Sequence, residues 1–240
     1  MANPPRLRYR SRVTEALSFL SPLNAIPGVR AGWVERVPGL PIEGDRDEAM
    51  NLLKPHHAAA VAEFAGGSSP SPWWRAEQIH GTGVAIVPQL PQINAPDGLP
   101  TVPGADGLVT CTAGIVLAIY VADCGAIWLA DHKTGAIGLL HSGKKGTEGN
   151  ILAVALDQMA ASFGTRPEDV TVVLSPCIRP PHYEVDFAAA IGGQARTAGV
   201  GQFHDCGLNT ADDLERFYSY RREMGKTGRM MAMITRDFQP

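Results

Sequence analysis

Short apolar segments, separated by polar or turn residues, dominate the middle and the end of the chain. Three of them, at residues 115–121, 126–130 and 136–140, contain almost no polar side chains. Continuous apolar runs of this length are typical of strands that are buried on both faces. Residues 170–174 and 230–234 repeat the pattern. We therefore predict a buried strand at each of these positions.

A segment with helical spacing of apolar residues follows the third of these apolar segments. Apolar residues recur every three or four positions, which indicates one face of a helix; they are Leu152, Ala155, Leu156, Met159 and Phe163. Asn150 is suited to cap the start of this helix and Gly164 to end it. Residues 47–65 are also compatible with helix, in one or two pieces broken by Pro55.

The remaining segments are less regular. Residues 1–50 show no clear period, whereas residues 66–72 and 88–103 are rich in Gly, Ser or Pro and predict loops. The second loop is flanked on both sides by strand-like segments, so we interpret it as a surface excursion and not as a domain linker.

A hairpin turn is indicated between the second and third apolar runs. The polar segment 131–134, followed by Gly135, has a suitable length. If these four residues form the turn, the register places Cys124 directly opposite His141. Opposed side chains share a face of the sheet with Cβ atoms ~4.5 to 5.5 Å apart. A thiolate and an imidazole at that separation reach one metal ion at about 2.3 and 2.0 Å, whereas a slip of one residue would place them on opposite faces.

The alternative is a buried cysteine beside a hydrogen-bonded core histidine, because free cysteine is among the most buried residue types. The neighbouring residues favour a site. Cys124 lies between Asp123 and Gly125, and His141 precedes Ser142, so both are expected at strand ends, where functional residues commonly lie.

A metal site needs a third protein ligand, for which His80 is the best candidate. It lies in a polar cluster, residues 77–81, ahead of the strand-like residues 84–87. His132 falls in the predicted turn, and two adjacent histidines on a helix point in different directions. The other histidines nevertheless remain open as candidates: His56, His57, His132, His182 and His204.

Composition narrows the class of protein. The chain has 240 residues, of which 45% are hydrophobic and 19% charged, with a net charge of -3, as expected for a globular protein without a nucleic-acid partner. No segment approaches the ~20 apolar residues of a membrane span, and we recognise no export signal. The four cysteines are widely spaced without a Cys-x-x-Cys pair, so reduced thiols and a cytoplasmic location are expected.

Several motifs occur between about residue 75 and residue 234: Gln78-Ile-His-Gly81, Ala105-Asp-Gly107, Ala122-Asp-Cys124, His141-Ser-Gly143, Ser175-Pro-Cys-Ile178, Tyr183-Glu-Val185, Phe217-Tyr-Ser-Tyr-Arg-Arg222 and Thr227-Gly-Arg-Met230. Together they resemble the laccase-domain family, also called YfiH-like or multicopper polyphenol oxidase and described as zinc-dependent purine nucleoside phosphorylases. The resemblance implies a single α/β domain over residues 1–240, a layered sandwich with central mixed β-sheets flanked by helices.

The resemblance also implies a zinc site formed by His80, Cys124 and His141, with copper less favoured. The implied activity is phosphorolysis of adenosine or inosine, with deamination of adenosine as an added reaction. Asp123 is a candidate acid/base or supporting group, although an aspartate here also suits a turn cap. The candidate contacts for a purine nucleoside and phosphate are Gln78, Arg36, Lys145, Arg221 and Arg222; the alternative for the last three is a solvated surface charge.

One departure from the family's motifs affects the expected binding of the substrate. The family usually has His-Ala-Gly-Trp-Arg-Gly at the fourth motif, whereas this chain has His141-Ser-Gly-Lys-Lys-Gly146. Lysines replace an aromatic ring that can stack on a purine and a guanidinium that can bind an anion with two parallel hydrogen bonds. We therefore expect an intact metal site with weak activity on inosine and adenosine.

Three other functions compete with this hypothesis. In a Cys/His hydrolase acting on a cell-wall (peptidoglycan) precursor, Cys124 would attack and His141 would act as base. In a binding domain, zinc would be retained and catalysis lost. Copper-dependent phenol oxidation ranks lowest, because one His/Cys/His site has too few ligands for a multicopper centre.

Overall fold

The computed structural model describes residues 18–66, 73–89, 93–94 and 99–237. The strands in this part of the chain are β1 Val29–Val34, β2 Trp73–Ala76, β3 Val84–Ile86, β4 Ile93–Asn94, β5 Pro100–Val102, β6 Gly107–Thr110, β7 Val116–Val121, β8 Gly125–Asp131, β9 Ile137–Ser142, β10 Val170–Leu174, β11 Gln202–Asp205 and β12 Met230–Arg236. The α-helices are α1 Ser21–Asn24, α2 Arg46–Phe64, α3 Lys144–Glu148, α4 Ile151–Phe163 and α5 Phe187–Thr197.

The strands form two six-stranded mixed sheets. Sheet 1 has the order β1-β12-β7-β2-β5-β4, and sheet 2 has the order β11-β10-β8-β9-β6-β3. Both contain parallel and antiparallel pairs. In sheet 1, β2 runs parallel and β12 antiparallel to β7, and in sheet 2, β11 runs parallel and β8 antiparallel to β10. The predicted α/β sandwich with central mixed sheets is therefore confirmed.

Alternating residues of each strand enter different layers. In β7, Leu117 and Ile119 pack in the cluster between the sheets, whereas Ala118 and Tyr120 face the cluster that contains Val61 of α2. The outer face of sheet 2 is covered in the same way by α4 and α5. Because both faces of the central strands are covered, their sequences are continuously apolar instead of alternating.

Most of the predicted elements are confirmed. The five predicted strands correspond to β7, β8, β9, β10 and β12, and α4 begins after Asn150 and ends at Gly164 as expected. The Asn150 side chain accepts a hydrogen bond from the Ala153 amide. Gly164 has a φ of 72°, a left-handed conformation that glycine adopts without a Cβ penalty.

Two other predictions need correction. Residues 46–64 form one continuous helix that includes Pro55, so the proline does not break it. The predicted loop 88–103 contains β4 and β5, which extend sheet 1. Pro100 is tolerated because it is the first residue of its strand. Most of the predicted loop 66–72 lies outside the described residues.

The predicted pairing of β8 with β9 is confirmed, but the predicted register is wrong by two residues. Ala126, not Cys124, lies opposite His141. The cause is Asp131, which belongs to the strand because its carboxylate accepts hydrogen bonds from the Lys133 and Thr134 amides at 2.7 and 3.1 Å. A shift of two residues preserves the face on which a side chain lies, so Cys124 and His141 still converge.

Within the described segments, no helix combines the length and the apolar character needed to cross a bilayer.

Candidate metal centre

Three predicted ligands meet at one end of the sandwich. His141 is the second-last residue of β9, Cys124 immediately precedes β8, and His80 lies in the connection from β2 to β3. Their ligand atoms all lie within 4.8 Å of one another. The structure thus brings together the three side chains that the sequence predicts as ligands.

The cluster is closed on one side and open on the other. His141 is buried, Cys124 is partly exposed and His80 is exposed. The two imidazole rings are nearly perpendicular, at 85°, with centroids 4.8 Å apart. Space beside them depends on Gly143, because a methyl group at that position would lie 2.8 Å from Cys124 Sγ and 3.5 Å from His80 Cδ2.

A buried carboxylate orients two of the three candidate ligands. Asp106 Oδ1 lies 2.8 Å from His141 Nδ1, so Nε2 of the same ring is left to face the cluster. The same carboxylate accepts the amides of His80 and Gly81 at 2.9 and 2.7 Å. Metal-ligating histidines usually have such a partner on the second ring nitrogen, which sets their tautomer and orientation.

The backbone adopts uncommon conformations around the cluster. Gln78 and His80 both have a φ of 63°, and Asp123, next to Cys124, has a φ of 75°. Residues other than glycine rarely adopt such angles, and they do so mainly where the surrounding structure compensates the strain. At His80 that compensation includes the amide hydrogen bond to Asp106.

The electrostatics of the cluster favour an ion pair. Burial alone raises the pKa of the Cys124 thiol, but hydrogen bonds and positive charge from His141 and His80 lower it to about 6. Burial lowers the pKa of His141, whereas Asp106 and Cys124 raise it to about 9. Burial also opposes ionisation of Asp106, yet its hydrogen bond with His141 keeps the pKa of that carboxyl below its usual value.

These donors fit a transition-metal ion such as zinc. Two imidazole nitrogens and a thiolate are ligands that zinc accepts, and three protein ligands leave a fourth position open, as in catalytic sites. The exposed side at His80 gives that position access to solvent. The donor set therefore supports a metal centre.

The other histidines are not part of this cluster. His57 is buried in α2 against the Tyr120 ring, and burial lowers its pKa to about 4. His182 is hydrogen-bonded to Asp212, and His204 contacts Gln202. Among the described residues, only one group of three or more metal-type ligands was found.

Asp123 links Cys124 to the C-terminal part of the chain. One carboxylate oxygen accepts the Thr210 hydroxyl and the other accepts the Arg221 amide, both at 2.7 Å. Its backbone oxygen accepts the Ile178 amide at 2.8 Å. These long-range contacts give Asp123 a structural role in which it holds the loop beside Cys124, instead of capping a local turn.

Two of the predicted substrate contacts are already hydrogen-bonded within the protein. The Gln78 amide pairs with the backbone of Tyr120 through both its oxygen and its nitrogen, at 2.9 and 2.6 Å. The Arg36 guanidinium contacts Glu223 at 2.7 Å and lies 4.3 Å from the centroid of the Tyr218 ring. In this arrangement, both side chains connect parts of the protein.

The remaining candidates are exposed cations. Arg221 lies over the Tyr183 ring and 3.4 Å from Glu184, and that carboxylate is also 3.8 Å from Lys144. Lys145 and Arg222 are exposed. Lys144, Glu184 and Arg221 thus form a chain of charges between α3 and the C-terminal loop.

Asp106 was not assigned a role from the sequence. It occurs in the motif Ala105-Asp-Gly107, but its function becomes visible only when β6 is paired with β9. In that register Gly107 lies opposite Leu140, and the next position places Asp106 beside His141. The pairing joins distant segments, so spacing along the chain cannot indicate it.

The fold and the cluster define a layered α/β sandwich with a His/Cys/His candidate metal centre at its open end. The chain belongs to the family described as multi-copper polyphenol oxidoreductase laccase, which matches residues 47–191 and 185–237. The resemblance to laccase-domain proteins seen in the sequence is therefore confirmed.

Two purine nucleoside phosphorylases are similar to this chain over most of its length. A purine nucleoside phosphorylase of Deinococcus radiodurans is 34% identical over 233 residues, covering 85% of this chain and 86% of the relative. The purine nucleoside phosphorylase YlmD of Geobacillus stearothermophilus is 30% identical over 231 residues, covering 82% of each chain.

Solved structures show the same architecture. The crystal structure of YlmD from Geobacillus stearothermophilus superposes with a TM-score of 0.68 at 25% identity, covering 89% of this chain and 93% of the other. The Bacillus licheniformis hypothetical protein YfiH superposes with a TM-score of 0.69 at 23% identity, covering 87% and 93%, a likeness that concerns the fold alone.

We predict that Asp106→Asn weakens zinc binding about 10- to 100-fold, the usual effect of removing a partner that orients a metal ligand. Competition with a chromophoric chelator measures the affinity. Asp131→Asn is the matched control, because Asp131 is equally buried but lies at the far end of β8. Equal zinc affinity in wild type and Asp106→Asn would contradict the role given to Asp106.

We also predict that zinc binding near pH 8 releases about one proton. Between the pKa values of about 6 for Cys124 and about 9 for His141, the metal-free pair retains one proton, which the metal must displace. Zinc affinity should therefore rise with pH through this window and level off above the upper pKa. Calorimetry in two buffers of different ionisation enthalpy counts the protons; none released at pH 8 would contradict the ion-pair description.

Proposed function

We propose that this protein is a cytoplasmic, zinc-dependent purine nucleoside phosphorylase that acts on adenosine or inosine, with residues 1–240 forming one domain. The observation that carries the proposal is the convergence of His80, Cys124 and His141 on an open end of the sandwich. The names of the relatives from Deinococcus radiodurans and Geobacillus stearothermophilus support the choice of reaction. The proposed partners are small molecules, a purine nucleoside and phosphate, and no nucleic acid or membrane.

In the proposed reaction, an oxygen of phosphate forms a bond to C1′ of the ribose while the C1′–N9 bond breaks. The electron pair of the broken bond goes to the purine, which takes up a proton. Bound zinc would supply positive charge that stabilises an oxyanion in the site. Asp106 holds the His141 ring, and the open side at His80 admits the substrates. Deamination of adenosine, in which water adds at C6 and the 6-amino group leaves as ammonia, is proposed as a secondary reaction of the same site.

A Cys/His hydrolase acting on a peptidoglycan precursor is a second candidate. The specific observation in its favour is the lowered pKa of Cys124, about 6, beside His141, since a thiolate near an imidazole is a nucleophile of known type. The two functions differ in what Cys124 does, because a metal-bound thiolate is not free to attack. Their dependence on zinc and phosphate therefore separates them.

We predict near-stoichiometric zinc in protein purified without chelator, and release of free base from inosine or adenosine only when phosphate is present. Chromatography of base and sugar phosphate, with metal analysis of the same sample, measures both. Cys124→Ala and His141→Ala should lose the metal and the activity together.

Other outcomes point to other functions. Hydrolytic activity that survives a chelator but not thiol alkylation would favour the Cys/His hydrolase. Full zinc content without turnover of any nucleoside would favour a binding domain that has lost catalysis. Equal zinc content in the Cys124→Ala and His141→Ala variants would remove both residues from the metal site.

We further predict weak wild-type turnover that rises in the double variant Lys144→Trp, Lys145→Arg. An aromatic ring stacked on the purine and a guanidinium hydrogen-bonded to an anion each contribute roughly 1 to 3 kcal/mol to binding. Their absence therefore costs about tenfold to ten-thousandfold in affinity if the two contributions add. Steady-state kcat/KM for inosine and adenosine measures the effect.

A Lys133→Trp variant is the control, because Lys133 is exposed at the opposite end of the β8–β9 hairpin. It should leave kcat/KM unchanged. Strong wild-type turnover that the double variant leaves unaltered or reduces would show that α3 does not bind the nucleoside in this protein.

A further inference from the structure

Arg229 lies at the same end of the sandwich as the candidate metal centre. Met230, the first residue of β12, pairs with Val121, the last residue of β7. Continuing this antiparallel register by one position places Arg229 opposite Ala122, directly before Asp123 and Cys124. The backbone thus brings a guanidinium-bearing residue to the strand end from which the cysteine ligand emerges.

The Arg229 guanidinium has no acidic partner among the described residues. Its Nη1 atom donates to the backbone oxygens of Thr227 and Gly228, at 3.0 and 2.8 Å. By contrast, Arg36 is paired with Glu223 and Arg221 with Glu184. Arg229 is only partly exposed, and a partly buried guanidinium without a carboxylate is an unusual arrangement that an anionic ligand would compensate.

The charges around Arg229 are of both signs. Burial lowers the pKa of the Arg229 guanidinium, and so does the positive charge of Arg46, while Cys124 and Asp123 act in the opposite direction. Arg46, the first residue of α2, is exposed, so the partly buried guanidinium that an anion would compensate is that of Arg229.

We propose that Arg229 binds the phosphate co-substrate beside the metal centre, with its free N–H groups donating to the phosphate oxygens. The inference rests on the phosphorolysis proposed above. It also identifies a guanidinium that can bind an oxyanion in a chain whose α3 has Lys144 and Lys145, where the family motif that the sequence resembles has Trp and Arg. The planar guanidinium of arginine can donate two parallel hydrogen bonds to a phosphate, whereas a lysine ammonium cannot.

Isothermal titration calorimetry with inorganic phosphate tests the proposal. The 240-residue protein is titrated both with zinc and after chelation. Arg229→Gln should weaken phosphate binding about 10- to 100-fold, the range expected for hydrogen bonds to a charged group. Arg229→Lys should lie between this variant and wild type. Lys226→Gln is the matched control, since it removes one exposed positive charge from the same segment and should leave phosphate binding unchanged.

Kinetics separate this inference from the proposed function. If inosine is cleaved, Arg229→Gln should raise the KM for phosphate at least tenfold and leave the KM for inosine and the zinc content within twofold, whereas general loss of structure would change all three. If no nucleoside is cleaved but phosphate binding depends on Arg229, the anion site stands and the phosphorylase hypothesis fails. Absence of phosphate binding in wild type, or equal binding in wild type and Arg229→Gln, would overturn the inference.

Discussion

The candidate site depends on the hydrogen bonds of the Asp106 carboxylate. This carboxylate is fully buried and holds the His141 ring through one oxygen, and it also accepts the amides of His80 and Gly81. Its backbone accepts the His141 amide at 2.7 Å and donates to Gly83 at 2.8 Å. One residue thereby fixes β6, β9 and the β2–β3 connection relative to one another. Because a buried carboxylate is costly without such partners, the folded protein can retain Asp106 only if this end of the sheet keeps its geometry.

The sequence predicted the central strands and α4 well, because their patterns are local. Residues 116–121 are apolar at every position and Asn150 begins a helix whose face recurs every three or four residues, signals that do not require knowledge of the partner segments. The convergence of Cys124 and His141 was also predicted, although by a register that is wrong by two residues. That error was harmless because side chains alternate with a period of two. The hydrogen bonds of Asp131 across the turn set the true register, and the apolar pattern does not indicate them.

These local patterns do not indicate which distant segments of the chain pair with one another. Arg36 and Glu223 are far apart in the sequence, and so are Gln78 and Tyr120, yet each pair is joined in the structure. The insertion of β2 between β7 and β5 in sheet 1 has no local signature either. The motif that contains Gln78 and the family resemblance that suggests Arg36 therefore predict both as substrate contacts, although their polar groups already have partners within the protein.

The two sides of the site differ in how strongly the structure constrains them. The ligand side rests on buried groups, with Asp106 and His141 hydrogen-bonded where water does not compete. The charges at α3 are exposed, and the contact between Lys144 and Glu184 at 3.8 Å is screened by solvent. Substitutions in α3 therefore alter the exposed surface beside the candidate site at little cost to the fold or to the His/Cys/His cluster. The exposed α3 can therefore carry Lys144 and Lys145, where the family motif that the sequence resembles has Trp and Arg, without disturbing the buried Asp106 and His141.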